Sequence, residues 1–178
     1  MDEIAQVYAR SLFEAASEAT PPKLDVVREE IGQLADALAA NEDLRLFFFS
    51  PYFSTDEKRD GLRRTVQDAD PVMMNVLDIL VENHRLPVLP RLRREYERRW
   101  RDANNLLPVT VTSAVALDDA VIERIGDEIG RQTGRTVELT REVDPSIVGG
   151  FVVRVGNAIL DASIKNRLEN LRKQIVRA

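Results

Sequence analysis

Residues 89–113 read LPRLRREYERRWRDANNLLPVTVTS, and the spacing of the apolar residues changes within this stretch. In its first part, apolar side chains recur every three or four residues, as on one face of a helix: Leu89, Leu92, Tyr96 and Trp100. After two asparagines, the pattern becomes the alternation of a half-buried strand: Leu107, Val109 and Val111. The change predicts a domain boundary near residue 105, with helices before it and a sheet after it.

The first domain, residues 1–105, is predicted to contain six helices joined by short links. One helical stripe opens the chain: Ile4, Tyr8, Leu12 and Ala15. The clearest stripe follows at spacings of three and four residues: Leu24, Val27, Ile31, Leu34 and Leu38. Because short links hold consecutive helices side by side, the expected fold is a six-helix bundle.

Several residues in this domain are typical of helix starts. Thr20 is expected to cap the second helix, and Asn41 a short third one. Ser54 and Glu57 have the spacing of a capping box, in which the serine side chain accepts from the third amide and the glutamate reaches back. Asp70 followed by a proline predicts the start of the fifth helix.

The second domain, residues 106–178, is predicted to be a small α+β unit. Asp118 is expected to cap a helix that Gly134 ends. Three further strands are expected around Val137–Val143, Phe151–Val155 and Ala158–Asp161. The chain then closes with another helical stripe: Ile164, Leu168, Leu171 and Ile175. The fold class is therefore mainly α, a helical bundle followed by a small α+β domain.

The bulk composition narrows the possible functions. The 178 residues are 44% hydrophobic and 31% charged, with a net charge of −5 and no cysteine. This is typical of a soluble globular protein, and the negative charge argues mildly against a general nucleic-acid binder. The N-terminus lacks the order of a secretory signal, and no apolar run approaches the roughly 20 residues of a membrane helix. We expect a cytoplasmic protein that reaches a membrane only through partners.

Residues that could carry catalysis are scarce. His84 is the only histidine, and its position predicts a helix end or surface site, where the helix dipole alone favours it. Gly149-Gly150 lacks the frame of a phosphate loop and is expected to form a turn between strands. The spacing of calcium-binding loops is also missing from the sequence. We therefore expect no active site, metal or cofactor.

The stretch 91–101, RLRREYERRWR, is the segment that most favours a different function, nucleic-acid binding. Arginines interleaved with Tyr96 and Trp100 could bind RNA through charge and stacking. The same residues also fit an amphipathic helix with a solvated arginine face, paired with Glu95 and Glu97 at helical spacings. The second interpretation is favoured because the aromatic residues continue the apolar stripe.

Several segments together resemble the delta subunits of bacterial F-type ATP synthases and their mitochondrial counterpart, the oligomycin-sensitivity-conferring protein. The opening IAQVYARSLFEAA is similar to the first helix of that family, and NHRL followed by Pro90 to the segment before its sixth helix. The most specific match is residues 143–157, VDPSIVGGFVVRVGN, which resembles the family's Asp-Pro, Gly-Gly and strand ending in Gly-Asp or Gly-Asn. Departures occur at Ala162 and His84, where the family often has glycine.

The resemblance implies a non-catalytic stator protein of a proton-translocating ATP synthase, present in a single copy at the cytoplasmic face of the cell membrane. It implies that the bundle receives the N-terminal helix of an alpha subunit between its first and fifth helices. The matching positions are Tyr8, Ser11, Leu12, Asn75, Asp78, Ile79 and Glu82. It further implies that the second domain binds the C-terminus of the b subunit, with these candidates: Phe151, Val153, Arg167, Arg172 and Lys173.

Two alternatives remain open at this point. A helical adaptor of another assembly would share the bundle but not the partners. An RNA-binding protein using the helix over residues 91–101 would bind nucleic acid in a salt-sensitive way, whereas a stator protein would bind the tail of an alpha subunit.

Overall fold

A computed structural model describes residues 2–66, 68–147, 149–156 and 158–161. The chain forms two compact units, Met1–Trp100 and Arg101–Ala178. The first is helical and the second holds a four-stranded mixed sheet, which confirms the predicted fold class. The division lies five residues before the predicted position, because the last turn of the sixth helix groups with the sheet.

Among the described residues of the first unit, six α-helices are present, as predicted, together with one 3-10 helix. Their bounds are α1 (Asp2–Glu18), α2 (Leu24–Ala40), α3 (Glu42–Phe49), α4 (Thr55–Thr65), α5 (Pro71–Glu82), a 3-10 helix (Leu86–Val88) and α6 (Leu89–Ala103).

Most of the predicted caps are present. The Asn41 side chain accepts from the Leu44 amide, and Ser54 forms a complete capping box with Glu57. The predicted cap at Thr20 is wrong. Helix α2 instead begins at Leu24. Its N-cap residue is Lys23, whose side chain makes no capping hydrogen bond. The two prolines after Thr20 explain the shift, since each lacks an amide hydrogen and restricts the residue before it.

The core of the first unit follows the predicted stripes with one correction. Val27, Ile31 and Leu38 are buried, as the α2 stripe requires. In α1, Ala15 is exposed and Ala16 is buried instead. Ala5 and Ala9 complete that face, so small residues rather than Ile4 and Tyr8 sit at its centre.

The described part of the second unit consists of β1 (Leu106–Ser113), α7 (Asp119–Thr133), β2 (Thr136–Val143), β3 (Phe151–Val155) and β4 (Ala158–Asp161). The strand order is β2-β1-β3-β4, with β1 parallel to β2 and the other pairs antiparallel. Asp118 caps α7 and Gly134 ends it in the left-handed conformation, as predicted. The C-terminal stripe predicted over residues 164–175 lies outside the described residues.

Within the part of the chain that the structure describes, no helix is both long and apolar enough to cross a bilayer.

Candidate partner-binding surfaces

The first predicted surface lies where α1 packs against α5. Leu12 of α1 is completely buried in the bundle core, so it supports this surface from beneath and cannot contact a partner directly. Tyr8 is half-buried, and its hydroxyl accepts a hydrogen bond from Arg85 Nη1 at 3.1 Å. The Arg85 guanidinium also lies 6.0 Å from the centre of the Tyr8 ring. Tyr8 is thus held in a fixed orientation at the end of α5.

Each of these two helices exposes an apolar side chain. Ile79 of α5 is 43% exposed, although Leu77 and Leu80 beside it are fully buried. Val7 of α1 is 53% exposed and was missed by the sequence reasoning. The sequence signal that could have identified Val7 is an apolar residue that lies outside the buried stripe of its helix. Ser11 of α1 and Asn75 of α5 are exposed as well, so both polar and apolar groups of these helices reach the solvent.

The remaining predicted residues of this surface belong to an ion-pair network. Arg59 of α4 donates to Glu82 Oε1 at 2.6 Å and lies 3.5 Å from both Asp78 Oδ1 and Asp56 Oδ1. Asp78 Oδ1 is buried and makes no hydrogen bond. Arg59 therefore ties α4 to α5 and neutralises part of the acidic charge beside Ile79.

The second predicted surface lies on β3. Phe151 is half-buried, and Val153 is only 4% exposed. Val153 forms the floor of an open cleft of about 520 Å³ whose walls include Val121, Ile125 and Leu160. Arg167, Arg172 and Lys173 lie outside the described residues. The cleft offers apolar side chains from both α7 and the sheet.

Helix α6 carries the basic stretch that suggested RNA binding. Tyr96 is fully buried, and its hydroxyl donates to the Leu24 carbonyl, so it cannot stack on a base. The Trp100 ring is covered by the Arg28 guanidinium, 3.9 Å from its centre. Ion pairs occupy several of the arginines of this stretch: Arg91 with Asp2, Arg93 with Asp36, Arg98 with Glu95 and Arg101 with Glu138. These contacts favour the amphipathic-helix interpretation.

A partly buried polar cluster fixes the start of α5. Lys23 Nζ donates to Asp70 Oδ2 at 2.5 Å, and the Asp70 amide donates to Glu30 Oε1 at 2.8 Å. Burial of the Asp70 carboxyl would raise its pKa, but hydrogen bonds from Lys23 and Val72 outweigh burial and lower it. Burial raises the pKa of Glu30, whose Oε2 has no hydrogen-bond partner. The cluster joins α2 to α5 and has no catalytic geometry.

The candidate catalytic residues lie apart from one another. His84 is exposed just after α5, at φ 54, in the left-handed region that favours glycine. Gly150, at φ 84, belongs to the link between β2 and β3, as the predicted turn requires. Within residues 2–66, 68–147, 149–156 and 158–161, no cluster of potential metal ligands is found.

Comparisons with known proteins place the chain among ATP synthase subunits. A family model described as "ATP synthase delta (OSCP) subunit" matches residues 4–175. The chain is 35% identical to "ATP synthase subunit delta" of Rubrobacter xylanophilus over 95% of this chain and 94% of that protein. It is 32% identical to the protein of the same name from Moorella thermoacetica, over 98% and 97%.

Similarity extends to mitochondrial proteins. "ATP synthase subunit 5, mitochondrial" of Schizosaccharomyces pombe is 31% identical over 93% of this chain and 78% of that protein. A chain in a cryo-EM structure of the Toxoplasma gondii mitochondrial ATP synthase hexamer superposes with a TM-score of 0.75 at 26% identity, covering 97% of both chains. Both units of the fold are therefore present in a known relative.

Proposed function

The chain belongs to the ATP synthase delta (OSCP) subunit family, and from this premise we propose that it links two partners, the N-terminal helix of an alpha subunit and the C-terminus of the b subunit. As a member of this family it is a non-catalytic structural part of ATP synthase with a stator role. A stator prevents the catalytic head from turning with the rotor, so that torque drives ATP synthesis. Two attachments in separate domains suit that task.

Binding of the alpha subunit is assigned to residues 1–105 and to the surface where α1 packs against α5. The observation that carries it is the pair of exposed apolar side chains, Val7 and Ile79, on two helices that pack against each other. A helix that docks in a groove anchors apolar side chains at helical spacing, and such exposed side chains are its natural counterpart. Ser11, Asn75 and Glu82 supply the polar rim.

Binding of the b subunit is assigned to residues 106–178. Its support is the open cleft with Val153 at its floor, in which Val121 and Leu160 are 41% and 62% exposed. Phe151 lies on the same strand. Arg167, Arg172 and Lys173 are retained as candidates for pairing with acidic side chains of the b subunit.

This role places the protein at the cytoplasmic face of the cell membrane, in one copy per complex and held there by partners. It requires no cofactor. The proton path and the nucleotide sites belong to other subunits of such a synthase. RNA binding is disfavoured because Tyr96 is buried and Trp100 is covered.

The test is a calorimetric titration of the full chain with a synthetic peptide of the N-terminal tail of the alpha subunit from the same organism. We expect saturable one-to-one binding that Ile79→Glu weakens at least about tenfold, because a charge would replace an apolar anchor. Val26→Glu is the matched control, since Val26 is a 47% exposed apolar residue on α2. Absence of binding by the folded chain, or equal loss in both variants, would remove the proposed surface.

A further inference from the structure

A second surface of the bundle combines apolar and basic side chains around Phe49. One cleft of about 410 Å³ lies among α2, α3 and α6, and another of about 320 Å³ lies beside the end of α3. Phe49 lines both clefts. We call this region the Phe49 surface; it comprises both clefts, with an apolar floor including Leu38, Phe48, Val81 and Leu86 and a rim of Asp36, Arg45, Lys58, His84, Arg93 and Arg94.

The Phe49 surface is positively charged although the whole chain carries a net charge of −5. Among its lining residues, three arginines and one lysine face a single aspartate, which gives +3 with His84 neutral. A local excess of one sign on a protein of the opposite net charge selects the sign of the partner and guides its approach.

Much of this positive charge is not neutralised within the protein. Arg94 is exposed and makes no ion pair or hydrogen bond with any described residue. Arg45 pairs with Glu42 only at 3.7 Å, beyond hydrogen-bonding distance. Arg93 is paired with Asp36 on α2. Two of the three arginines are therefore available to a carboxylate from outside.

Lys58 adds a buried cation. It is 5% exposed, and its ammonium donates to the Ser50 carbonyl at 2.6 Å. No carboxylate among the described residues forms an ion pair with it. An ammonium has three donors, and buried charges are normally paired. The cleft beside the end of α3 thus has a cation without a counterion at its wall.

From these contacts we propose that the Phe49 surface binds an acidic amphipathic segment of a partner polypeptide. The apolar side chains of that segment occupy the two clefts on either side of Phe49, and its carboxylates face Arg45, Arg94 and Lys58. The apolar floor favours a polypeptide over a nucleic acid, whose phosphates would gain nothing from Leu38, Phe48 or Leu86. No residue of α1 lines either cleft, so this surface is additional to the one proposed for the tail of the alpha subunit.

The test uses the full chain and a fluorescein-labelled 14-residue peptide with leucine at helical three- and four-residue spacing and glutamate elsewhere. We expect anisotropy to show saturable binding that weakens as salt is raised, because the rim charges are screened. A peptide of the same design with lysine in place of glutamate should not bind. Failure of the glutamate peptide, or equal binding of the lysine peptide, would overturn the proposal.

Charge reversal locates the contact. Arg94→Glu should weaken the glutamate peptide by at least about fivefold, because one attraction becomes a repulsion. Arg98→Glu is the matched control, an exposed arginine one turn further along α6 that lines neither cleft. An equal loss of affinity in both variants would show that only the overall charge of the protein matters, and would overturn the proposed site.

Amide chemical shifts of the unsubstituted full chain, measured with and without the glutamate peptide, locate the contact without relying on the folding of a variant. We expect peptide-induced shifts among residues 35–39, 45–51 and 90–94, with little change in α1. Shifts centred on α1 and α5 would assign the peptide to the other surface and contradict the proposal. The proposal would also be contradicted if a 12-nucleotide oligouridine bound more tightly than the glutamate peptide and if Arg94→Glu abolished that binding. Ile79→Glu should leave the glutamate peptide unaffected, which separates this test from that of the tail of the alpha subunit.

Discussion

The two units of the molecule bury their apolar side chains differently. In the first unit, the described core contains seventeen buried residues drawn from all six helices and the 3-10 turn. In the described part of the second unit, it contains five: Leu107, Val109, Val111, Ile122 and Val153. The first core is formed by side chains from every helix of its unit, whereas the second is formed by side chains from two strands and one helix and depends on contacts at a few positions. A substitution should therefore have different consequences in each unit.

Removing core volume from the first unit should have the largest effect. Leu77 is fully buried at the centre of α5, so Leu77→Ala should lower the free energy of unfolding by about 3 kcal/mol. The readout is tryptophan fluorescence in urea, because Trp100 donates to Asp25 within the first unit and is the only tryptophan. Leu46→Ala, at a 60% exposed position, should change stability by less than about 0.5 kcal/mol. Similar losses in both variants would contradict a closely packed bundle.

Adding one methyl group should distinguish the two units. A Cβ at Gly126 of α7 would lie 2.6 Å from Leu139 Cδ1 on β2, whereas one at Gly32 of α2 would meet nothing closer than 3.8 Å. Gly126→Ala should cost about 1–2 kcal/mol through overpacking. Gly32→Ala should stabilise by about 0.5–1 kcal/mol, because alanine is the better helix former.

Hydrogen exchange at the β1 and β2 amides is the measurement for Gly126→Ala, since it reports on the second unit directly. Exchange should accelerate in that variant and stay unchanged in Gly32→Ala. Stabilisation by both substitutions would show that Leu139 moves aside at little cost, and that the packing of α7 on β2 is looser than the structure indicates.

The contrast also explains which features the sequence could predict. Helical spacing identified the α2 core because Val27, Ile31, Leu34 and Leu38 all face inward. It misplaced the centre of the α1 face, where Ala5, Ala9 and Ala16 are buried. Alanine carries little hydrophobic signal, so the pattern weighted the larger Ile4 and Tyr8. Close approach of two helices depends on small residues that an apolar pattern does not single out.

Strands showed a similar limit. The burial of β1 matches its predicted alternation, because Leu107, Val109 and Val111 share one face and that face packs against α7. Strand β2 exists as predicted, but it lies at the sheet edge and Val143 is 55% exposed. A sequence pattern reports which residues are apolar, and strand order decides which of them are covered.

Partner-binding residues were the least predictable part. The family resemblance pointed to α1 and α5, and periodicity indicated that most of their apolar residues belong to the core. Which apolar side chains stay exposed depends on helix packing: Val7 and Ile79 do, while Leu12 does not. The charged residues of the Phe49 surface come from three helices and the start of a fourth, so no local sequence motif could predict this surface.

The smallest expected effect concerns the polar cluster that joins α2 to α5 in the first unit. The folded-state pKa of Glu30 is raised above its usual value of 4.5 by burial, so its ionised form destabilises the fold at neutral pH. Its contribution is most favourable below the unfolded pKa and is lost as pH rises through the folded pKa. Asp70 has the opposite sign: its lowered pKa stabilises the fold above the unfolded value of 3.8, and this is lost in acid.

Glu30→Gln should therefore raise the free energy of unfolding by about 0.5–1 kcal/mol at pH 7, since glutamine can still accept from the Asp70 amide without carrying a charge. The difference should shrink toward zero near pH 4, where the wild-type carboxyl is protonated. Thermal unfolding at both values measures it, with a change of about 2 °C expected at pH 7. Glu29→Gln, at the exposed neighbouring position, should have no comparable effect. A destabilised Glu30→Gln at pH 7 would mean that the hydrogen bond from the Asp70 amide and the attraction to Lys23 together outweigh burial, and that the ionised Glu30 strengthens the bundle rather than weakens it.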